Sequence, residues 1–163
     1  MKSLMAIGLV LMAFAPAAAV QQPRVDKGDL TEFFVGKWTV KGQERTFHEE
    51  CRLLTRNSFV ICEGKDANPK DPISWISLRG YSHFDDLYNF AEYGSDGSVY
   101  QYSGWLNDGV WTFLAHRQYE QRVVRIEDTI TPTPAGYFQT RRISINGADW
   151  ETRFKEEHIR IAD

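Results

Sequence analysis

The amino-acid sequence predicts an all-β fold, an antiparallel up-and-down barrel of about ten strands preceded by a short N-terminal helix. Three observations carry this expectation. From Lys37 onward, short segments rich in aromatic and β-branched residues follow one another at fairly even intervals. The breaks between them hold Asn, Asp and Gly, which accept the positive φ of tight hairpins. No segment after Lys37 has the length of a crossover helix, so neighbouring strands must pair antiparallel. A meander of so many twisted strands removes its exposed edges by closing on itself, and a two-sheet sandwich is the alternative.

Residues 1–19 precede the domain and have the order of a secretory signal: Lys2, an apolar stretch from Leu4 to Phe14, then Pro16 and Ala17-Ala18-Ala19. The stretch is shorter than the roughly 20 residues that cross a bilayer as a helix. It also lacks the polar face of an amphipathic core helix. Cleavage after Ala19 leaves no integral membrane segment and a periplasmic or secreted domain, residues 20–163. Its 144 residues suffice for one core.

After a polar lead from Val20 to Lys27, Asp29 is a candidate N-cap for a short helix with Leu30, Phe33 and Phe34 on one stripe, ended by Gly36. Too short to stand alone, it should lie against the end of the β structure. The expected strands are Lys37 to Arg45, Glu49 to Leu54, Phe59 to Lys65, Ile73 to Ser82, Leu87 to Tyr93, Ser98 to Trp105, Val110 to Arg117, Gln121 to Thr131, Tyr137 to Ile145 and Trp150 to Ile161. Turns fall at Phe84-Asp85-Asp86, Ser95-Asp96-Gly97, Asn107-Asp108-Gly109 and Asn146 to Asp149. Asp66 to Pro72 and Thr131 to Gly136 read as true loops.

Cys51 and Cys62 both lie in the exported part, where a pair can oxidise. The intervening segment reads as a hairpin centred between Arg56 and Asn57, which sets Cys51 opposite Cys62, Leu53 opposite Val60 and Leu54 opposite Phe59. A disulfide follows if the pair is a close, non-hydrogen-bonded one, which favours a four-residue loop, Thr55 to Ser58. No second Cys or His pair stands at metal-ligand spacing.

Alternation sorts the strand faces. Val99, Gln101, Ser103 and Trp105 oppose Tyr100 and Tyr102, and Val110, Thr112, Leu114 and His116 oppose Trp111, Phe113 and Ala115. In the last strand Trp150, Thr152, Phe154, Glu156 and His158 form the set assigned to the interior. Large aromatics beside Glu and His suit a barrel with a cavity; a filled core with a polar rim is the alternative.

At Phe34-Val-Gly36-Lys-Trp38 the chain resembles the opening of lipocalin-like, calycin-type barrels, where a short helix runs into a Gly-x-Trp on the first strand. The layout around Gly80-Tyr81 and Gly109-Val-Trp-Thr-Phe113 is similar to uncharacterised bacterial exported domains with such a barrel. The resemblance implies structural roles for Gly36 and Trp38, with Trp38 packed across the barrel base, and a small apolar ligand. Nitrobindin-like barrels, a related group, hold haem through a late-strand histidine, and His158 is the residue here that matches that location.

The formal charge of −3, which becomes −4 when Lys2 is removed, argues against nucleic acid, which needs a clustered positive field. Arg141 and Arg142 are adjacent, but on a strand they point to opposite faces. Gly-x-Ser-x-Gly, phosphate-loop and dinucleotide patterns are absent. The carboxylate pairs Glu49-Glu50 and Asp85-Asp86 read as solvated. No catalytic constellation is legible, although Glu156 and His158 could form an acid-base pair in a cavity.

Three readings remain: a binding barrel for a small, partly apolar molecule, lined by Trp75, Tyr81, Phe90, Trp105 and Trp111; a haem protein or enzyme centred on His158; and a filled barrel that binds another protein. Oligomeric state is not encoded in any visible pattern.

Overall fold

The computed structural model describes residues 30–54 and 58–161. The expected signal sequence, the polar lead, the Asp29 cap and the tip of the cysteine hairpin lie outside the described residues. A short helix, α1 (Leu30–Phe34), leads into ten strands: β1 (Gly36–Val40), β2 (Phe47–Leu53), β3 (Phe59–Asp66), β4 (Ile73–Ser82), β5 (Leu87–Gly94), β6 (Val99–Asn107), β7 (Val110–Tyr119), β8 (Arg122–Thr133), β9 (Gly136–Ile145) and β10 (Glu151–Ile161). Every strand pairs antiparallel with the next, and β1 closes on β10 from Lys37↔Ile161 to Val40↔His158. The result is a closed barrel without a free edge, not a sandwich. Among the described residues no helix is long and apolar enough to cross a membrane.

The largest departures from the sequence expectation have local reasons. The first strand stops at Val40, because Gly42 takes φ 84° and the Gln43 amide turns back to the Val40 carbonyl at 2.8 Å. Its partner β2 consequently begins at Phe47. The expected loop Thr131 to Gly136 is mostly strand, with Pro132 opposite Tyr137 and Thr133 opposite Gly136. Pro132 is tolerated there because the β7 ladder has already ended at Ile130, so β8 is locally an edge. In β10 a bulge at Arg153 shifts the register between Thr152 and Phe154. The bulge keeps Phe154, Glu156 and His158 inward but turns Trp150 and Thr152 out, where Trp150 packs under Arg125 and Arg142.

The cysteine hairpin has the register expected from its spacing: Cys51 faces Cys62 and Leu53 faces Val60. The two cysteines form a disulfide with Cα atoms 4.0 Å apart, the short spacing of a non-hydrogen-bonded pair.

One end of the barrel is filled. Phe33 and Phe34 of α1 pack on Trp38, Trp111 and Tyr137 at ring separations of 5.1 to 6.4 Å. The Trp38 indole donates to the Phe34 carbonyl at 2.8 Å, which ties the helix to the first strand. Arg160 lies over the Trp38 ring at 4.4 Å and donates to the Phe33 and Val35 carbonyls, satisfying orphan acceptors at the helix end. Gly36, at φ 127°, makes room for that guanidinium, since a Cβ there would sit 2.6 Å from Arg160 Nη1. Above α1 the core continues through Phe90 stacked on Tyr102 at 5.0 Å, with Phe113 edge-on to Phe90.

Candidate functional site

The opposite end of the barrel is open and polar. A cavity of about 270 Å³ lies between β2 and β4, the ends of β3 and β5, and the middle of β9 and β10, with Glu49, Trp75, Arg79, Glu92, Glu156 and His158 in its wall.

Its floor is an ion pair. Arg79 donates to Glu49 at 2.8 Å, with the two residues only 7% and 3% exposed. The guanidinium is held between the rings of Phe34 and Phe90, at 4.6 and 4.9 Å, so Arg79 separates the filled base from the polar mouth. Burial alone would pull this guanidinium down; the Glu49 carboxylate, with Tyr137 and Glu92 adding, outweighs it and holds Arg79 above its ordinary value.

Backbone register explains how Glu49 is reached. Glu49 lies opposite Gly64, and Gly64 opposite Trp75, in one row across three strands. Gly64 has no side chain to fill the space between them, and a Cβ there would overlap the Trp75 indole at 2.2 Å. Trp75 therefore leans across Gly64 and donates its Nε1 proton to Glu49 at 3.1 Å.

His158 stands on the facing wall. Its ring stacks on Tyr137 with centroids 4.5 Å apart and an interplanar angle of 8°, and Phe47 meets it edge-on at 5.3 Å. Burial, with the charge of Arg79 adding and that of Glu49 opposing, pushes its pKa down to about 4, so the imidazole is neutral near pH 7. Neither ring nitrogen has a hydrogen-bond partner, and the same holds for Glu49 Oε2 and Arg79 Nε. The Tyr137 hydroxyl faces Arg79 but makes no well-formed hydrogen bond. Buried polar atoms are almost always paired, so several unpaired ones around one cavity single it out.

Deeper on the β8–β9 side, Arg141 grips Asp128 with two bonds of 2.8 and 2.6 Å and donates to the Tyr102 hydroxyl at 3.1 Å. Arg142, on the outer face, bonds Glu127 instead. The adjacent arginines thus point to opposite faces, as alternation requires.

The sequence-derived lining residues are dispersed. Trp75 and His158 meet at the cavity. Phe90 is in the filled core, and Trp111 packs beneath α1. Tyr81 sits at the far end of β4, where its hydroxyl donates to Asp86 and its pKa is pushed up to about 12 by that bond. Trp105 faces outward, because strand parity places it with Gln101 and Ser103 while Tyr102 points in; it lines a shallow outer groove with Leu78 and Leu114. Although that groove is larger, about 840 Å³, and also reaches Phe90, none of its lining residues carries an unpaired buried polar atom.

Glu49 corrects the sequence expectation: it is buried and paired, not solvated. Asp85 and Asp86 do remain at their turn. The sequence signal for Arg79 is a charged residue on the same strand face as Trp75 and Ser77. Among the described residues, the one group of potential metal ligands is Glu49, Cys51 and Cys62, and the disulfide has already consumed both thiolates.

Compared with known proteins, the chain matches no family model and no curated sequence. The closed ten-stranded antiparallel barrel is compatible with a lipocalin-like barrel.

Proposed function

We propose that this protein is an exported small-molecule-binding barrel whose ligand enters the open end and contacts Glu49, Arg79 and His158. The observation that carries the reading is the set of unpaired polar atoms around the cavity: Glu49 Oε2, Arg79 Nε and both nitrogens of His158. An unpaired buried polar atom costs about 1–3 kcal/mol, and a ligand that pairs several of them recovers that energy as affinity. The resemblance to lipocalin-like barrels suggested an apolar ligand; this cavity favours a polar head with a flat apolar body resting against Phe47, Trp75 and Phe154. The disulfide accords with a periplasmic or secreted location.

Haem at His158 is the second reading, motivated by a neutral imidazole with a free nitrogen. The cavity argues against it. At about 270 Å³ it lies at or below the small end of ligand pockets, roughly 300–1,000 Å³, and the histidine ring is stacked on Tyr137 and met edge-on by Phe47. The unpaired polar atoms likewise weigh against a wholly filled interaction module.

The test is a fluorescence screen of polar aromatic compounds against the purified protein, repeated with Trp75→Phe and Trp105→Phe. A response lost in Trp75→Phe and kept in Trp105→Phe supports the open-end site. A response that depends on Trp105 moves the site to the outer groove, and no response to any compound removes the binding reading. Addition of haem should give no Soret shift that is sensitive to His158→Ala.

A further inference from the structure

We infer that the occupant of the open end is a small organic cation, an amine or guanidine carried on a flat apolar body. The inference rests on the binding reading above and names the class of its ligand.

Charge around the cavity is unevenly cancelled. Of the acids in its wall, Glu49 is neutralised by Arg79, while Asp66, Glu92 and Glu156 remain. The other guanidinium in the wall, Arg141, is committed to Asp128 through two hydrogen bonds. Among the described residues, no Lys or Arg lies within ion-pair distance of Asp66, Glu92 or Glu156. Glu156 has only a long bond from Gln43 at 3.5 Å and the neutral His158 ring 4.0 Å away.

These carboxyls are crowded as well as without a cationic partner. Burial raises Glu92, with Glu49 and Asp128 adding to the shift and Arg141 and Arg79 opposing it. Burial also raises Glu156, with Asp66 adding and the Gln43 bond and Arg141 opposing. A cation entering the mouth relieves this repulsion, whereas an anion adds to it.

A second, independent observation comes from the buried floor. Glu49, a residue of the cavity wall, is 3% exposed, and its Oε2 is an acceptor without a donor. The neutral His158 ring offers a further acceptor nitrogen. An ammonium group, with several donors and no acceptor, matches both. Arg79 Nε, an unpaired donor, leaves room for one oxygen on the ligand.

The rings of Phe47, Trp75 and Phe154 in the same wall are suited to a cation, since aromatic faces attract positive charge and Trp does so most strongly. A metal ion is a poorer match: no group of three free ligand atoms is clustered among the described residues.

Benzylamine, benzyl alcohol and benzoate share a ring and differ in head-group charge, so titrating each into the protein by calorimetry at pH 7 and low salt tests the inference. Benzylamine should bind at least about tenfold more tightly than the other two, and Glu92→Gln and Glu156→Gln should each weaken it about fivefold or more while leaving benzyl alcohol unchanged. Both variants are at the mouth, outside the buried ion pair, and their thermal midpoints are to be measured alongside. Benzoate or benzyl alcohol binding as tightly as benzylamine, with sensitivity to His158→Ala, overturns the cation and leaves the binding barrel standing. Benzylamine affinity unchanged in both variants also overturns it. Absence of heat from all three up to about 10 mM removes the cation and counts against the binding reading itself.

Discussion

Glu49 and Arg79 meet at 2.8 Å across the barrel floor with side chains only 2% and 8% exposed. A buried pair of this kind is costly to break from one side, because the remaining charge is left without water or a partner. Glu49→Gln or Arg79→Met alone should destabilise the protein by about 3–5 kcal/mol, and the double variant should recover most of that loss. Urea midpoints of the four proteins form the cycle. Additive losses would mean that the two groups do not act as a pair.

His158 makes stability depend on pH in a defined direction. Its folded pKa of about 4 lies below the ordinary 6.5, so the unfolded chain binds the proton first as pH falls. Stability should therefore drop by about 3 kcal/mol between pH 6.5 and 4 on account of this residue alone, and level off below. Glu92 and Glu156 are raised and act in the opposite sense, so the measurement is the difference between the native protein and His158→Phe. Equal acid sensitivity in the two proteins would show that the imidazole is not held neutral by burial.

The disulfide closes a loop of sequence separation 11. Constraining the unfolded chain over that length is worth about 3 kcal/mol, so Cys51→Ala with Cys62→Ala should lower the denaturant midpoint by the corresponding amount. Both cysteines are buried, and reduction by dithiothreitol should accordingly be slow under native conditions and fast in urea. Rapid native reduction is inconsistent with the buried placement.

Gly136 and Gly42 should respond differently to alanine. A Cβ at Gly136 meets the His158 carbonyl oxygen at 2.0 Å, a backbone atom that cannot move without parting β9 from β10. Gly136→Ala should cost about 3 kcal/mol and loosen His158, seen as faster amide exchange at Tyr137 and Ile159. At Gly42 nothing lies within 4 Å, but φ is +84°, so alanine should cost only about 1 kcal/mol. Comparable losses at both positions would contradict the close β9–β10 approach.

Legibility of the chain followed the range of the interactions involved. The cysteine register was readable because hairpin pairing is fixed by a symmetric count about the turn, and Cys51 and Cys62 stand equidistant from it. Alternation correctly sent Phe154, Glu156 and His158 inward, yet it failed for Trp150 and Thr152 because a bulge adds one residue and inverts parity. The early end of β1 is not legible in the sequence because a lone glycine such as Gly42 does not announce its φ. Trp105 and Trp111 could not both face one lumen, since each belongs to the opposite parity set of paired strands.

Sequence alone determined the β meander, its antiparallel pairing, the cysteine hairpin and the helix before Gly36 and Trp38, because each depends on neighbours close along the chain. The tertiary structure decided which wall faces the lumen and that Glu49, Trp75, Arg79 and His158 share a cavity. Those residues come from three strands far apart in sequence, and only ring closure of β1 on β10, together with the absent side chain at Gly64, brings them within reach.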